Sequence, residues 1–213
     1  PTFVPQAEVG FQYGNYDTVG GSFYGSTGLS ETVAIDLSLN LNHQGEGFGR
    51  NIVTASDVNY TREFNARTKM LVDLPNTRIV AALDYSEFDN ANGLSAGIYP
   101  GSMTIAGNRR LPGWQDVRLS VDPTSEGRTY GALLNIRHDL GWADFVSISA
   151  ARGMDTSFNL PGYTPTNVSD IHIDEDSRSF SQEFQLQSNN DGRLEWTLGL
   201  YAFAVEGRFK PLE

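Results

Sequence analysis

The stretch from Val33 to Asn42, VAIDLSLNLN, limits what this chain can fold into more than any other. Val33, Ile35, Leu37, Leu39 and Leu41 alternate with Ala34, Asp36, Ser38, Asn40 and Asn42. Side chains on a strand point to opposite faces in turn, so this is a strand with one apolar and one polar face. Wound as a helix, the same apolar residues would scatter around the axis. The segment is about ten residues long, the length that a tilted bilayer-spanning strand needs. Strands of soluble proteins are nearer five or six residues. The apolar face therefore meets either a second sheet or lipid.

The pattern recurs along the chain. Ala7 to Tyr16 and Gly20 to Gly28 form a first hairpin, with Ala7, Val9, Phe11 and Tyr13 on one face of the first strand and Gly21, Phe23 and Gly25 on one face of the second. Ala66 to Leu74 places Ala66, Thr68, Met70, Val72 and Leu74 together, and Arg78 to Phe88 places Ile79, Ala81, Leu83 and Tyr85 together. Thr129 to Asp139 follows, then Ala143 to Arg152, whose Phe145, Val146 and Ile148 do not alternate strictly. Phe180 to Ser188 and Arg193 to Phe203 make a last hairpin around an Asp-Gly tip. Nine strands are predicted.

The chain has 213 residues, a formal charge of −11, no cysteine and 22 glycines. An acidic balance argues against nucleic acid, whose phosphates need Lys and Arg, and against an anionic membrane surface. Without cysteine there are no disulfides and no thiolate metal sites. No run of eighteen apolar residues offers a transmembrane helix, but a bilayer-spanning barrel leaves only a weak hydropathy signal. The chain opens at Pro1 without Met or a signal pattern, as a cut or processed chain would.

The connections after the first hairpin run short, long, short, long. The short ones have ordinary hairpin length, and the long ones, about twenty to forty residues, exceed the usual loop. Outer-membrane barrels place short turns on the periplasmic side and long loops outside, and a soluble sandwich has no reason to. Tyr13, Tyr16, Tyr85, Phe88, Trp142, Trp196, Tyr201 and Phe203 fall near strand ends, where interfacial girdles would lie. The polar face collects Asp36, Asn40, Arg67, Lys69, Asp84, Asn135, Arg137, Glu183, Gln185, Gln187 and Glu195. So many charged groups suit a wide, wet or plugged lumen better than a narrow core.

Three segments resemble TonB-dependent outer-membrane receptors. Val9-Gly10-Phe11-Gln12-Tyr13-Gly14-Asn15-Tyr16-Asp17-Thr18 is similar to the first barrel strand. Gly25-Ser26-Thr27-Gly28-Leu29-Ser30-Glu31-Thr32 is similar to the second strand and first periplasmic turn. Ser179-Phe180-Ser181-Gln182-Glu183-Phe184-Gln185-Leu186, followed by Leu194-Glu195-Trp196-Thr197-Leu198-Gly199-Leu200-Tyr201, resembles a later hairpin of the family. The resemblance implies an all-β fold: an antiparallel up-and-down transmembrane β-barrel of 22 strands, of which this chain carries about nine. It also implies an N-terminal plug and energy-coupled uptake of an iron-siderophore, cobalamin, haem or carbohydrate, driven by the TonB complex from the bacterial outer membrane.

Against that pattern, no plug or energy-coupling box precedes Pro1, and the chain ends Lys210-Pro211-Leu212-Glu213 rather than on a terminal aromatic. Residues 1–213 are therefore expected to be the first part of the barrel domain, without the plug and the C-terminal strands. Such a piece leaves edges open and is not expected to insert stably alone. A passive porin-like channel and a soluble β-sandwich binding module or enzyme are the alternatives. The sandwich requires a second sheet packed on the apolar faces.

Little else suggests chemistry. Ile171-His172-Ile173-Asp174-Glu175-Asp176 reads as a solvated acidic loop rather than a cation site. Gly45-Glu46-Gly47-Phe48-Gly49-Arg50 reads as an external loop rather than a phosphate loop. The three histidines lie in unrelated segments and no nucleophile elbow exists. Glu183 and Glu195, facing across the last hairpin, are better lumen lining than an acid–base pair. No catalytic residue, metal ligand or cofactor is expected. The ligand-binding candidates are Tyr99, Arg109, Arg110 and Trp114 in one long loop, because aromatic and Arg side chains dominate recognition sites. The expected partners are a small anionic ligand, the lipid bilayer and, through a plug, the TonB complex, with no nucleic acid.

Overall fold

Alternation becomes hydrogen-bonded sheet throughout the computed structural model, which describes residues 1–91, 113, 115–161, 170–189 and 194–210. The strands are β1 (Gln6–Gly14), β2 (Thr18–Gly28), β3 (Val33–Gln44), β4 (Gly49–Asn51), β5 (Ser56–Val58), β6 (Thr61–Leu74), β7 (Thr77–Asn90), β8 (Thr124–Asp139), β9 (Ala143–Leu160), β10 (Ile171–Ser188) and β11 (Thr197–Phe209). Nine of them form one antiparallel meander in the order β1-β2-β3-β6-β7-β8-β9-β10-β11, and β4 and β5 pair separately. Strands touch only their hydrogen-bonded neighbours. Among the described residues there is no second layer of the kind that a sandwich requires. The nine strands run up and down in sequence order, the arrangement of a partial β-barrel.

Register fixes the faces. Val33, Ile35, Leu37, Leu39 and Leu41 lie beside Val72, Met70, Thr68, Ala66 and Phe64 of β6. The row continues through Ile79, Ala81, Leu83 and Tyr85 to Ile136, Leu134, Ala132 and Tyr130. Leu37, Leu83 and Phe184 on this face are 40%, 58% and 40% exposed, so none of the described residues covers it. At about 3.3 Å per residue and a tilt of about 45°, the span from Val33 to Leu41 covers roughly 20 Å of height, close to an outer-membrane apolar band.

The uncertain phase of β9 is resolved by its partners. Phe145, Ser147, Ser149 and Ala151 join the apolar face opposite Leu186, Phe184, Gln182 and Phe180. Val146 and Ile148 point inward with Arg137 and Asn135. Phe145 stacks on Phe184 with ring centroids 6.0 Å apart. Ser149 donates to the Gln182 carbonyl oxygen at 2.5 Å, and the Gln182 amide donates to Ser147 at 3.1 Å. These polar groups satisfy one another within the otherwise apolar face.

The turns sort by end. Residues 29–32, 75–76, 140–142 and 189–196 connect strands at one end, and 15–17, 45–60, 91–123 and 161–170 at the other. Tyr16 and Asp17 adopt φ of 60° and 50°, and Gly141 adopts 87°, which closes the tight turns. At the short-turn end Trp142 and Trp196 lie 6.3 Å apart. Tyr13, Tyr85 and Tyr130 belong to the apolar face, but Phe88, Tyr201 and Phe203 share the polar one and are not girdle residues.

Several boundaries move. The acidic segment Ile171 to Asp176 is strand, not loop, within β10. The stretch from His43 to Phe64 contains β4 and β5, and Gly49 and Arg50 are strand. β8, β9 and β10 begin or end well beyond the apolar band, because backbone pairing continues after hydrophobic alternation stops.

Candidate functional site

Three surfaces carry polar chemistry. The first is the inward face. Asp36, Asn40, Arg67, Lys69, Asp84, Asn135, Arg137, Glu183, Gln185 and Gln187 share it. Glu195 precedes β11, and Glu183 pairs with Tyr201 instead, so no carboxylate pair spans the last hairpin. Asp36 is buried, with its Oδ2 at 3.5 Å from Lys69 Nζ and its Oδ1 accepting the Lys69 backbone N–H at 3.0 Å. Arg152 reaches across β8 to both oxygens of Asp84 at 3.1 and 3.0 Å. Gly131 lies between them, and a Cβ there would sit 2.9 Å from Asp84 Oδ1. Arg137 pairs with Asp144, and Gln187, Gln185 and Glu183 form a ladder along β10 at 2.6 and 2.5 Å. This wall is charged and internally paired, the composition that a barrel lumen carries.

The second is a cap at the long-loop end. The buried cluster of Val58, Val117 and Leu119 sits here and not in the sheet. Asn51 is fully buried. Its Nδ2 donates to the Leu119 carbonyl at 2.9 Å and to Asp122 at 2.8 Å. Its Oδ1 accepts the Val53 and Leu119 N–H groups at 3.2 and 3.1 Å. Asp122 also accepts from Thr54 and Ser56, each at 2.6 Å. Asn51 and Val117 form a parallel bridge, and a Cβ on Gly49 would meet the Gln115 carbonyl at 2.1 Å. Ser120 donates to Asp170 at 3.0 Å, which ties the cap to the next loop. Sequence reading missed the cap because three-residue strands carry no periodicity; the only clue was Asn51 itself, an amide among turn residues.

The third is the outward face beyond the apolar band. A row of Tyr85, Tyr130, Gly153, Arg178 and Glu206 is followed by Glu87, Arg128, Asp155, Asp176 and Arg208. Arg128 pairs with Asp155 at 3.1 Å and Arg208 with Glu206 at 2.6 Å. Further out, the Ser157 hydroxyl, helped by Lys210 and His172, holds the Asp174 carboxyl below the usual carboxylate range. Beside this zone, in the loop before β6, burial pushes the Tyr60 phenol up to about 12, with the Asp89 charge and its hydrogen bond at 3.1 Å adding to the effect. The Arg62 guanidinium lies 4.4 Å over the ring and opposes it. The fold holds Tyr60 protonated, so its contribution is full below pH 10 and is lost as pH rises through about 12. A phenolate absorbance titration is expected to lose a step near pH 12 in Tyr60→Phe, and that step is expected to move down in Asp89→Asn.

Tyr99, Arg109, Arg110 and Trp114 lie outside the described residues. Among the described residues no group of three metal-ligating side chains comes together, the acidic stretch of β10 included. His172, Asp174 and Asp176 share one face of β10, with His172 3.2 Å from Asp174, and Glu175 lies on the other face.

No known protein-family signature and no curated protein matches the sequence. Two solved structures match the fold. The ferric yersiniabactin uptake receptor FyuA from Yersinia pestis aligns over 98% of this chain and 32% of its own, with 16% identity and a TM-score of 0.75. FpvA of P. aeruginosa, in a complex with a pyoverdine and iron, aligns over 96% of this chain and 28% of its own, with 15% identity and a TM-score of 0.65. The chain thus spans about a third of the length of each. In fold it is nine antiparallel strands of a partial up-and-down β-barrel, the fold it shares with these two structures.

Proposed function

We propose that this chain is the N-terminal part of the barrel domain of an energy-coupled outer-membrane receptor, with a plug before it and further strands after it in the whole protein. The ligand is a small anionic molecule of the iron-siderophore class, captured by the long loops and passed through the lumen when the TonB complex moves the plug. The observation that carries the reading is the single sheet whose apolar face is uncovered while its polar face is internally ion-paired. Support also comes from the fold shared with FyuA and FpvA and from the three sequence segments similar to the family. Tyr99, Arg109, Arg110 and Trp114 are proposed to contact the ligand. No covalent chemistry is needed.

The full-length gene product tests this in an iron-starved Gram-negative host. Its deletion is expected to lower uptake of radioiron offered as ferric siderophores, and loss of TonB is expected to lower it equally. Uptake that depends on the protein but not on TonB would assign a passive channel instead.

A further inference from the structure

We infer that the inner wall is divided into a wet sector on β1 to β6, along which a polar ligand passes, and a dry sector on β7 to β9, on which the segment preceding Pro1 stays seated while it does. The inference rests on the transport reading and deepens it, because it assigns the passage to one side of the lumen and the fixed seat of the plug to the other.

Register places the division. Glu8, Tyr24, Ser38 and Arg67 form one inward row across β1, β2, β3 and β6, and Gly10, Ser22, Asn40 and Asn65 form the next row toward the long loops. Neither row carries an aliphatic side chain. One row nearer the short turns, Ser26, Asp36 and Lys69 begin in the same way. At β7 this row turns apolar, with Ala82, Leu133 and Ala150 as cross-strand neighbours, and Phe203 resumes it on β11 beyond Ser181. In the row below, Val80 and Ile148 flank Asn135. Ala34 and Leu71, the apolar pair of that row on β3 and β6, are already buried. Leu133, Ala150, Val80 and Ile148 are only half-buried, and no described strand lies over them. The Asp84–Arg152 ion pair bounds the patch on the long-loop side.

What covers the patch is read from the start of the described chain. The Pro1 nitrogen lies 3.0 Å from Asp36 Oδ2, and the Thr2 N–H donates to Ser26 Oγ at 2.7 Å. Both acceptors stand in the inward row that continues into Ala82, Leu133 and Ala150. Chain arriving at Pro1 therefore arrives inside the wall, level with the patch and about 10 Å from Ala82 at ordinary strand spacing. The two sectors then differ in what separation costs. Along the wet sector, hydrogen bonds given up by the plug are remade with water. Over Leu133 and Ala150, separation exposes apolar surface with no such replacement. The plug parts from the wall on the β1 to β6 side and keeps its contact on the other.

Single cysteines in the full-length protein are labelled in intact cells with a water-soluble maleimide, with TonB present and with TonB deleted. Ser38→Cys and Asn40→Cys are expected to react about tenfold or more faster than Leu133→Cys and Ala150→Cys, and the last two are expected to stay protected in both strains. Benzoylphenylalanine in place of Leu133, activated by light, is expected to cross-link to a peptide that precedes Pro1. A heat-dependent mobility shift on gels confirms that each variant is a folded barrel, and equal labelling after denaturation confirms that each thiol is intact. Equal rates in the two sectors, TonB-dependent labelling of Ala150→Cys, or a cross-link from position 133 to another barrel strand overturns the division while leaving the transport reading intact. Recovery of the wild type in the soluble fraction would overturn both.

Discussion

Arginine at Leu37 is expected to destabilise the whole barrel by about 2–4 kcal/mol, whereas arginine at Asn40 changes stability by about 0.5 kcal/mol or less. The two positions are three residues apart on β3 and differ in the face they occupy. Leu37 stands at the middle of the outward row, beside Gly25 and Thr68. A guanidinium there meets hydrocarbon, and its neighbours on that face offer no acid to pair with. Asn40 faces the lumen between Ser22 and Asn65. A cation there keeps its water. Denaturant unfolding of the full-length protein in vesicles measures the difference. Similar costs at both positions would mean that the faces do not see different solvents.

Asn51→Ala is expected to open the cap without weakening the sheet. Four hydrogen bonds involve this one buried carboxamide: it accepts from the Leu119 and Val53 N–H groups and donates to the carbonyl of Leu119, which is itself buried, and to Asp122. Removing the amide leaves buried groups unpaired at about 1–3 kcal/mol each. A loss of about 3 kcal/mol in local stability corresponds to about a hundredfold faster hydrogen exchange. The effect is expected at the amides of residues 50–58 and 117–119 and not along β6 to β9. Unchanged protection at Leu119 would show that the Val58–Val117–Leu119 cluster holds the cap alone.

The strands were legible wherever one face is apolar and the other polar. β3, β6 and β7 could be read from alternation alone, since Leu37 and Leu39 contrast with Asp36 and Asn40. Legibility stops where both faces are wet. The outer halves of β8, β9 and β10 carry Arg128, Asp155 and Asp176 outward and Thr129, Thr156 and Glu175 inward. Pairing there is sustained by backbone hydrogen bonds and cross-strand ion pairs, to which hydrophobic pattern is blind. The Ile171 to Asp176 segment read as loop for that reason. The cap was hidden for another: Asn51 and Asp122 meet only through tertiary folding, across 71 positions of sequence.

Single cysteines placed along β3 and β7 give the most direct measurement of where the apolar faces look. The chain has none of its own, so a full-length background without other cysteines suffices. Spin labels at Leu37→Cys and Leu83→Cys, in vesicles, are expected to collide with oxygen dissolved in lipid and to be shielded from a water-soluble nickel complex. Labels at Asn40→Cys and Asp84→Cys are expected to show the reverse. Labels at Leu37 and Leu83 that neither reagent reaches would place those side chains inside a packed protein core and contradict the account.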